Sequence, residues 1–411
     1  MIYFSSVVSI AATPYLCTPL DLDGDLTKAK HVVRVATFNA YLNRRSEGQL
    51  ITDLQSTDHP QIVAVTEIIQ RVRPDILLLN EFDYDANGTA IDLLQSNYLA
   101  VGQNGQQPIE YPYVFIAESN TGIPSGFDFD NDGKTNGPGD AYGFGFFPGQ
   151  YGMVVLSRYP IDRYRARTFQ HFLWKDMPGA LLPDDPTTDE PYDYYSQQEL
   201  SQFRLSSKSH WDIPVFVNGK RLHLLAAHPT PPVFDGVEDR NGRRNHDEIR
   251  FWADYVGGYR KSYYIYDDNG RRGGLPSRSA FVILGDYNAD PNDGDSTQNA
   301  ISQLLTHPAI DNSLSLGSFG GMEDSAKEAQ ANSQHTGKSV LDTGDFNPAG
   351  PGNLRVDYVL PSKRKNDVEC GGVFWPTEKD DTRYLVGDGF PVISSDHRLV
   401  WIDLKLNNSW K

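Results

Sequence analysis

Ala280-Phe-Val-Ile-Leu-Gly-Asp-Tyr-Asn288 decides how this chain is read. An apolar run without polar alternation describes a strand covered on both faces, and the Gly-Asp-x-Asn that follows ends it in polar groups able to meet a substrate. The same design recurs at His31–Asn39, Asp75–Glu81, Gly152–Ser157, Leu222–His228 and Arg355–Leu360. Between these runs the spacing predicts helices over Gln61–Val72 (Ile62, Val65, Ile68 and Ile69 on one face, stopped by Pro74), His246–Gly257 and Thr297–Leu305. Asn218-Gly219, between Ile213–Val217 and Arg221–Ala227, predicts a type I′ hairpin. Strands, hairpins and interleaved helices together predict an α/β protein whose sheets are covered by helices.

The chain has 411 residues, long enough for one large domain or two to three smaller ones. No linker divides it and no repeat is visible. It reads as an N-terminal extension over residues 1–30 and a single domain over 31–406, with insertions near 121–149, 177–198 and 229–245. Lys plus Arg total 37 against 54 Asp plus Glu, a net charge of −17. That balance argues against nonspecific attachment to nucleic acid or anionic lipid. It leaves phosphate ester hydrolysis open, because bound cations reverse the field locally. Cys17 and Cys370 lie far apart; a bridge in an oxidising compartment and two free thiols are both open readings. Met1–Ala12 is apolar but too short to span a bilayer and lacks a basic leading segment. The expectation is a soluble product, secreted or periplasmic, with no stable membrane insertion and no protein partner.

The strand tips end in Asn39, Glu81, His228, Asp286 and Asn288, with Asp357, Asp396 and His397 further on. Singly each has a structural reading, such as a turn cap for Asn39 or a pairing of Asp357 with Arg355. Jointly, carboxylates and amides offer the oxygen donors that suit Mg²⁺ or Mn²⁺, and the histidines add proton donors.

Thr37-Phe38-Asn39, Asn80-Glu81, Ala227-His228, Gly285-Asp286-Tyr287-Asn288, Val356-Asp357-Tyr358 and Ser395-Asp396-His397 stand in the order seen in the endonuclease/exonuclease/phosphatase superfamily, which the chain resembles from about Val32 to Leu404. The resemblance implies a four-layer α/β sandwich of two packed mixed β-sheets flanked by helices, and divalent-metal-dependent hydrolysis of phosphate mono- or diesters by direct water attack. It implies Asn39, Glu81 and Asp396 as metal ligands. Asp286 would orient or deprotonate the water, and Asn288 would hold the scissile phosphate or a second ion. His397, its tautomer set by Asp357, and His228 would flank that phosphate. Nucleic acid enters only as a substrate, in the alternative reading as an extracellular nuclease. A non-catalytic binding module on the same scaffold is the alternative of another class.

Asp128, Asp130 and Asp132, with Gly133, fit the start of a calcium loop, although Gly139 stands where the twelfth-position glutamate belongs. The expectation is Ca²⁺ or a solvated acidic loop between Asp128 and Asp140. Arg204, Lys208 and His210 before the hairpin, and Arg243 after the His228 tip, are expected either to bind substrate charge or to pair with neighbouring carboxylates.

Overall fold

The computed structural model describes residues 32–363, 366–388 and 392–406. The extension over 1–30, with Cys17, lies outside the described residues. The strands are β1 (Val33–Leu42), β2 (Ile76–Phe82), β3 (Tyr113–Phe115), β4 (Met153–Ser157), β5 (Arg167–Thr168), β6 (Trp211–Val217), β7 (Lys220–Ala226), β8 (Ala280–Asp286), β9 (Gly344–Asp345), β10 (Asn353–Leu354), β11 (Asp357–Pro361), β12 (Asn366–Val373) and β13 (Val400–Leu406).

One sheet has six strands in the order β12-β13-β1-β2-β4-β3 and the other five in the order β11-β8-β7-β6-β5, while β9 and β10 form a small separate pair. Both large sheets are mixed, with β1–β2 and β7–β8 parallel and the remaining pairings antiparallel.

Period-two alternation sorts the apolar residues into layers. Val33 and Val35 of β1 and Val282 and Leu284 of β8 meet in the core between the sheets. Ala36 and Phe38 face the opposite way, against Ile62, Val65 and Ile69 of the helix Pro60–Val72. Phe281 and Ile283 face Ile249 and Trp252 of the helix Arg240–Val256. The result is the expected helix–sheet–sheet–helix sandwich, which explains why the strand sequences are apolar on both faces.

Two local expectations need revision. The helix expected from His246 begins at Arg240, inside the stretch read as an insertion, because Glu248, Ile249 and Trp252 bury its inner face and the first turn follows. The helix expected over Thr297–Leu305 is broken: a short turn, Thr297–Asn299, precedes Ser302–Leu305, with Gln298 at φ 49°. The hairpin forms, with positive φ at Asn218 and Gly219 as a type I′ turn demands. No helix of the described residues is long and apolar enough to cross a membrane.

Candidate active site

The parallel pairs β1–β2 and β7–β8 end side by side, and the chain leaves regular strand geometry where the polar residues sit. The β1–β2 register shifts between Asn39 and Leu42, and Glu81 has φ 57°. Asn288, past the end of β8, has φ 51°. Non-glycine residues adopt such conformations only when their surroundings hold them. Gly285 has a more specific cause: a Cβ there would lie 2.0 Å from the Ala227 carbonyl oxygen. Only glycine lets β8 approach the end of β7 closely enough to set Asp286 beside His228.

Asp286 is the centre of the cluster. Its Oδ2 accepts from Asn39 Nδ2 at 3.0 Å and lies 3.4 Å from His228 Nε2 and 3.6 Å from His397 Nε2. Its Oδ1 accepts from the Asn288 backbone N–H at 2.9 Å, fixing the carboxylate plane. Asn288 Nδ2 donates to the Pro229 carbonyl at 3.1 Å, tying this tip to the segment after His228. On the other flank, His397 Nδ1 is 2.9 Å from Asp357 Oδ2, which also accepts from Thr343 Oγ1 at 2.9 Å. Burial opposes a charge on His397, but Asp357 and Asp286 overcome it and hold its pKa well above the usual value. His228 is pushed the other way, by burial and then by Lys208 and His397. The two imidazoles on either side of Asp286 are therefore one cation and one neutral ring.

Glu81 Oε2 accepts from Asn43 Nδ2 at 2.7 Å, and Ser395 Oγ donates to the Asn39 carbonyl at 2.7 Å, drawing the Ser395–His397 segment onto the end of β1. Burial, followed by the charge of Asp396, raises Glu81 to about 7. The four carboxylates Glu81, Asp286, Asp357 and Asp396 face the two cations His397 and Lys208 as neighbouring charges. That acidic surround, with ligand atoms of Asp286, Asp357 and His397 within 4.8 Å of one another, fits a divalent metal site.

These residues open into a cleft of about 640 Å³, walled by Phe129, Tyr195 and Phe203 and rimmed by Phe144 and Phe234. Lys208 lines it; Arg204, His210 and Arg243 do not. Arg204 stacks on Tyr142 at 3.8 Å and donates to Asn120 Oδ1. Arg243 lies beside Asp239 and donates to the Leu182 carbonyl at 3.3 Å. His210 is buried against Phe251 and Trp252, with ring contacts to Ser206 and the Glu248 carbonyl. In the acidic loop the carboxylates of Asp128, Asp130 and Asp140 converge, with ligand atoms within 4.8 Å of one another, whereas Asp132 turns outward to Lys134 at 3.0 Å. A Cβ on Gly139 would lie 2.1 Å from Asp130 Oδ2, so the residue at the glutamate position is what lets the loop close.

Sequence reasoning missed Asn43, Thr343 and Asp140. Only tertiary packing brings them to Glu81, Asp357 and Asp130.

The endonuclease/exonuclease/phosphatase family model matches residues 36–397. No curated protein matches significantly. Among solved structures, an endonuclease/exonuclease/phosphatase from Beutenbergia cavernae is 17% identical with a TM-score of 0.47, covering 92% of this chain and 72% of that one. A beta toxin from Staphylococcus aureus is 15% identical (TM-score 0.45, covering 90% and 99%). Sphingomyelinase C from Streptomyces griseocarneus is 13% identical (TM-score 0.43, covering 90% and 99%). With the family match covering most of the chain and every residue of the Asp286 cluster, this chain belongs to the endonuclease/exonuclease/phosphatase family, whose members are mostly phosphoester hydrolases.

Proposed function

We propose that this chain hydrolyses phosphate esters by direct attack of water, with Mg²⁺ or Mn²⁺ held by Asn39, Glu81 and Asp396. The observation that carries the reading is the convergence on Asp286 Oδ2 of an amide and two imidazoles from three separate segments. A bound divalent ion supplies charge neutralisation to the phosphate oxygens. Asp286, a carboxylate held by Asn39 and the Asn288 N–H, orients the attacking water and accepts its proton. The His397 imidazolium, locked by Asp357, donates to a non-bridging oxygen as negative charge builds there. Neutral His228 takes the opposite side, and the Asn288 amide orients the phosphate. No phospho-enzyme forms, since the water is itself the nucleophile.

Between substrate classes, the cleft supports a compact organic phosphate ester over an extended nucleic acid strand. It is a walled chamber, and Arg204, Arg243 and Arg244 are engaged with protein groups rather than arrayed along a groove. The deciding experiment runs p-nitrophenyl phosphate, bis-p-nitrophenyl phosphate and plasmid DNA in parallel with Mg²⁺, Mn²⁺ or Ca²⁺. Metal-dependent release from an aryl ester with intact plasmid is expected. Nicked plasmid would favour the nuclease, and no turnover of any substrate would favour a binding module.

We propose Asp128, Asp130 and Asp140, rather than Asp132, as oxygen donors to Ca²⁺, supported by their convergence and by the room Gly139 provides.

A further inference from the structure

Beside the His397 imidazolium, one lysine and two arginines line the cleft, and they differ in what their charge already touches. Arg244 donates to the carbonyls of Leu205 at 2.9 Å, Tyr142 at 2.6 Å and Arg204 at 2.9 Å, and its guanidinium lies over Phe203. Arg240 donates to Glu238. Lys208 is 7% exposed, yet among the described residues its ammonium makes neither an ion pair nor a hydrogen bond. Glu81, Asp286 and Glu248 are near enough to attract it without touching it.

An ammonium withdrawn from water and left without acceptors is costly, and a flexible lysine ordinarily turns toward solvent. Here the backbone that carries it is anchored on both sides. The Lys208 carbonyl accepts the Asn120 N–H at 2.8 Å. Its neighbour Ser207 donates to Glu248 Oε1 through both N–H (2.6 Å) and Oγ (3.0 Å), while Glu248 Oε2 accepts the Thr230 N–H at 2.7 Å. Buried Glu248 thus ties the loop carrying Lys208 to the segment immediately after His228. A compact charge with three free donors, facing a cleft whose carboxylates it does not reach, suits a tetrahedral oxyanion.

We propose that Lys208 is a phosphoryl-binding residue, its ammonium donating to a non-bridging oxygen on the His228 side of the bound phosphate, and that Glu248 is the positioning residue that aims it. The inference rests on the phosphoesterase reading for the identity of the anion and adds a contact that reading does not use.

The test measures binding of inorganic phosphate by calorimetry, with Mg²⁺ present, for wild type, Lys208→Met, Lys208→Arg and Glu248→Gln, alongside aryl ester turnover. Lys208→Met should weaken phosphate binding at least tenfold and raise KM, with an unchanged or higher melting temperature because a buried charge is removed. Lys208→Arg should recover most of the affinity. Glu248→Gln, which keeps an acceptor for one donor set only, should fall between them. If Lys208→Met does not fold, Lys208→Gln replaces it. Wild-type phosphate affinity in the folded neutral variant, or no phosphate binding by wild type, overturns the proposal. Lys208-dependent phosphate binding without ester turnover would sink the hydrolase reading and leave this site standing; turnover unaffected by Lys208→Met would do the reverse.

Discussion

The six-stranded sheet carries Asn39 and Glu81, and the loop entering its β13 strand carries Asp396, all oxygen donors; the five-stranded sheet carries His228, Asp286 and Asp357, and of these six Glu81, His228 and Asp286 line the cleft. Each set is aligned by its own register, Asn39 against Asn80 in one sheet and Asp357 against Asp286 in the other. Asn39 reaches across to Asp286, and His397 reaches both Asp357 and Asp286. On the proposed assignment, the cation-holding residues belong to one sheet and most of the proton-handling residues to the other, so that their alignment depends on how the sheets pack.

The largest effect is expected where the halves meet. Asp286→Asn should lower kcat by 10³-fold or more, about 4 kcal/mol of barrier, with the circular dichroism spectrum retained. A rate within tenfold of wild type would remove Asp286 from the centre of the reaction. A sharper division comes from metal titrations of the rate. Glu81→Gln should cost roughly 10²-fold in rate and raise the metal midpoint at least tenfold. His228→Ala should lower the rate with the midpoint unmoved; equal midpoint shifts in both variants would erase the distinction between the halves.

A third prediction concerns stability within the five-stranded half. Burial pushes His210 down to about 4 from an ordinary 6.5, so between these values the unfolded chain binds the proton and the folded chain does not. The stability gained from keeping this ring neutral is complete above about pH 6.5 and is lost as pH falls toward 4, up to about 3 kcal/mol. Urea midpoints measured from pH 7 to 4 should fall more steeply for wild type than for His210→Gln; parallel curves would show that the ring does not control this window. The smallest effect is expected at the Asp128–Asp140 loop. Chelation should lower the melting temperature by a few degrees, restored by Ca²⁺ and not by Mg²⁺, and Asp130→Ala should abolish the response. An unaltered melting temperature would leave the three carboxylates as a solvated loop.

The tip residues Asn39, Glu81 and Asp286 were legible in the sequence because a buried strand must be apolar throughout, so a carboxylate or amide at its tip stands out. The supporting residues were not. Thr343 sits beside the two-residue strand β9, and Asn43 lies just beyond β1, where a polar residue is ordinary. The basic residues show the limit most clearly. Arg204, Lys208 and Arg243 look equivalent in sequence, yet one stacks on Tyr142, one lies beside Asp239, and Lys208 alone of the three faces the cleft.

Local sequence determined the buried strands, the Asn218-Gly219 hairpin and the polar tips, since these follow from apolar runs and turn chemistry over a few residues. Only the tertiary structure decided which side chains meet at Asp286 Oδ2, which imidazole carries the proton and which cation stays uncommitted. Those outcomes depend on burial and on charges separated by hundreds of positions along the chain, as from Asn39 to Asp286, and no local pattern encodes such distances.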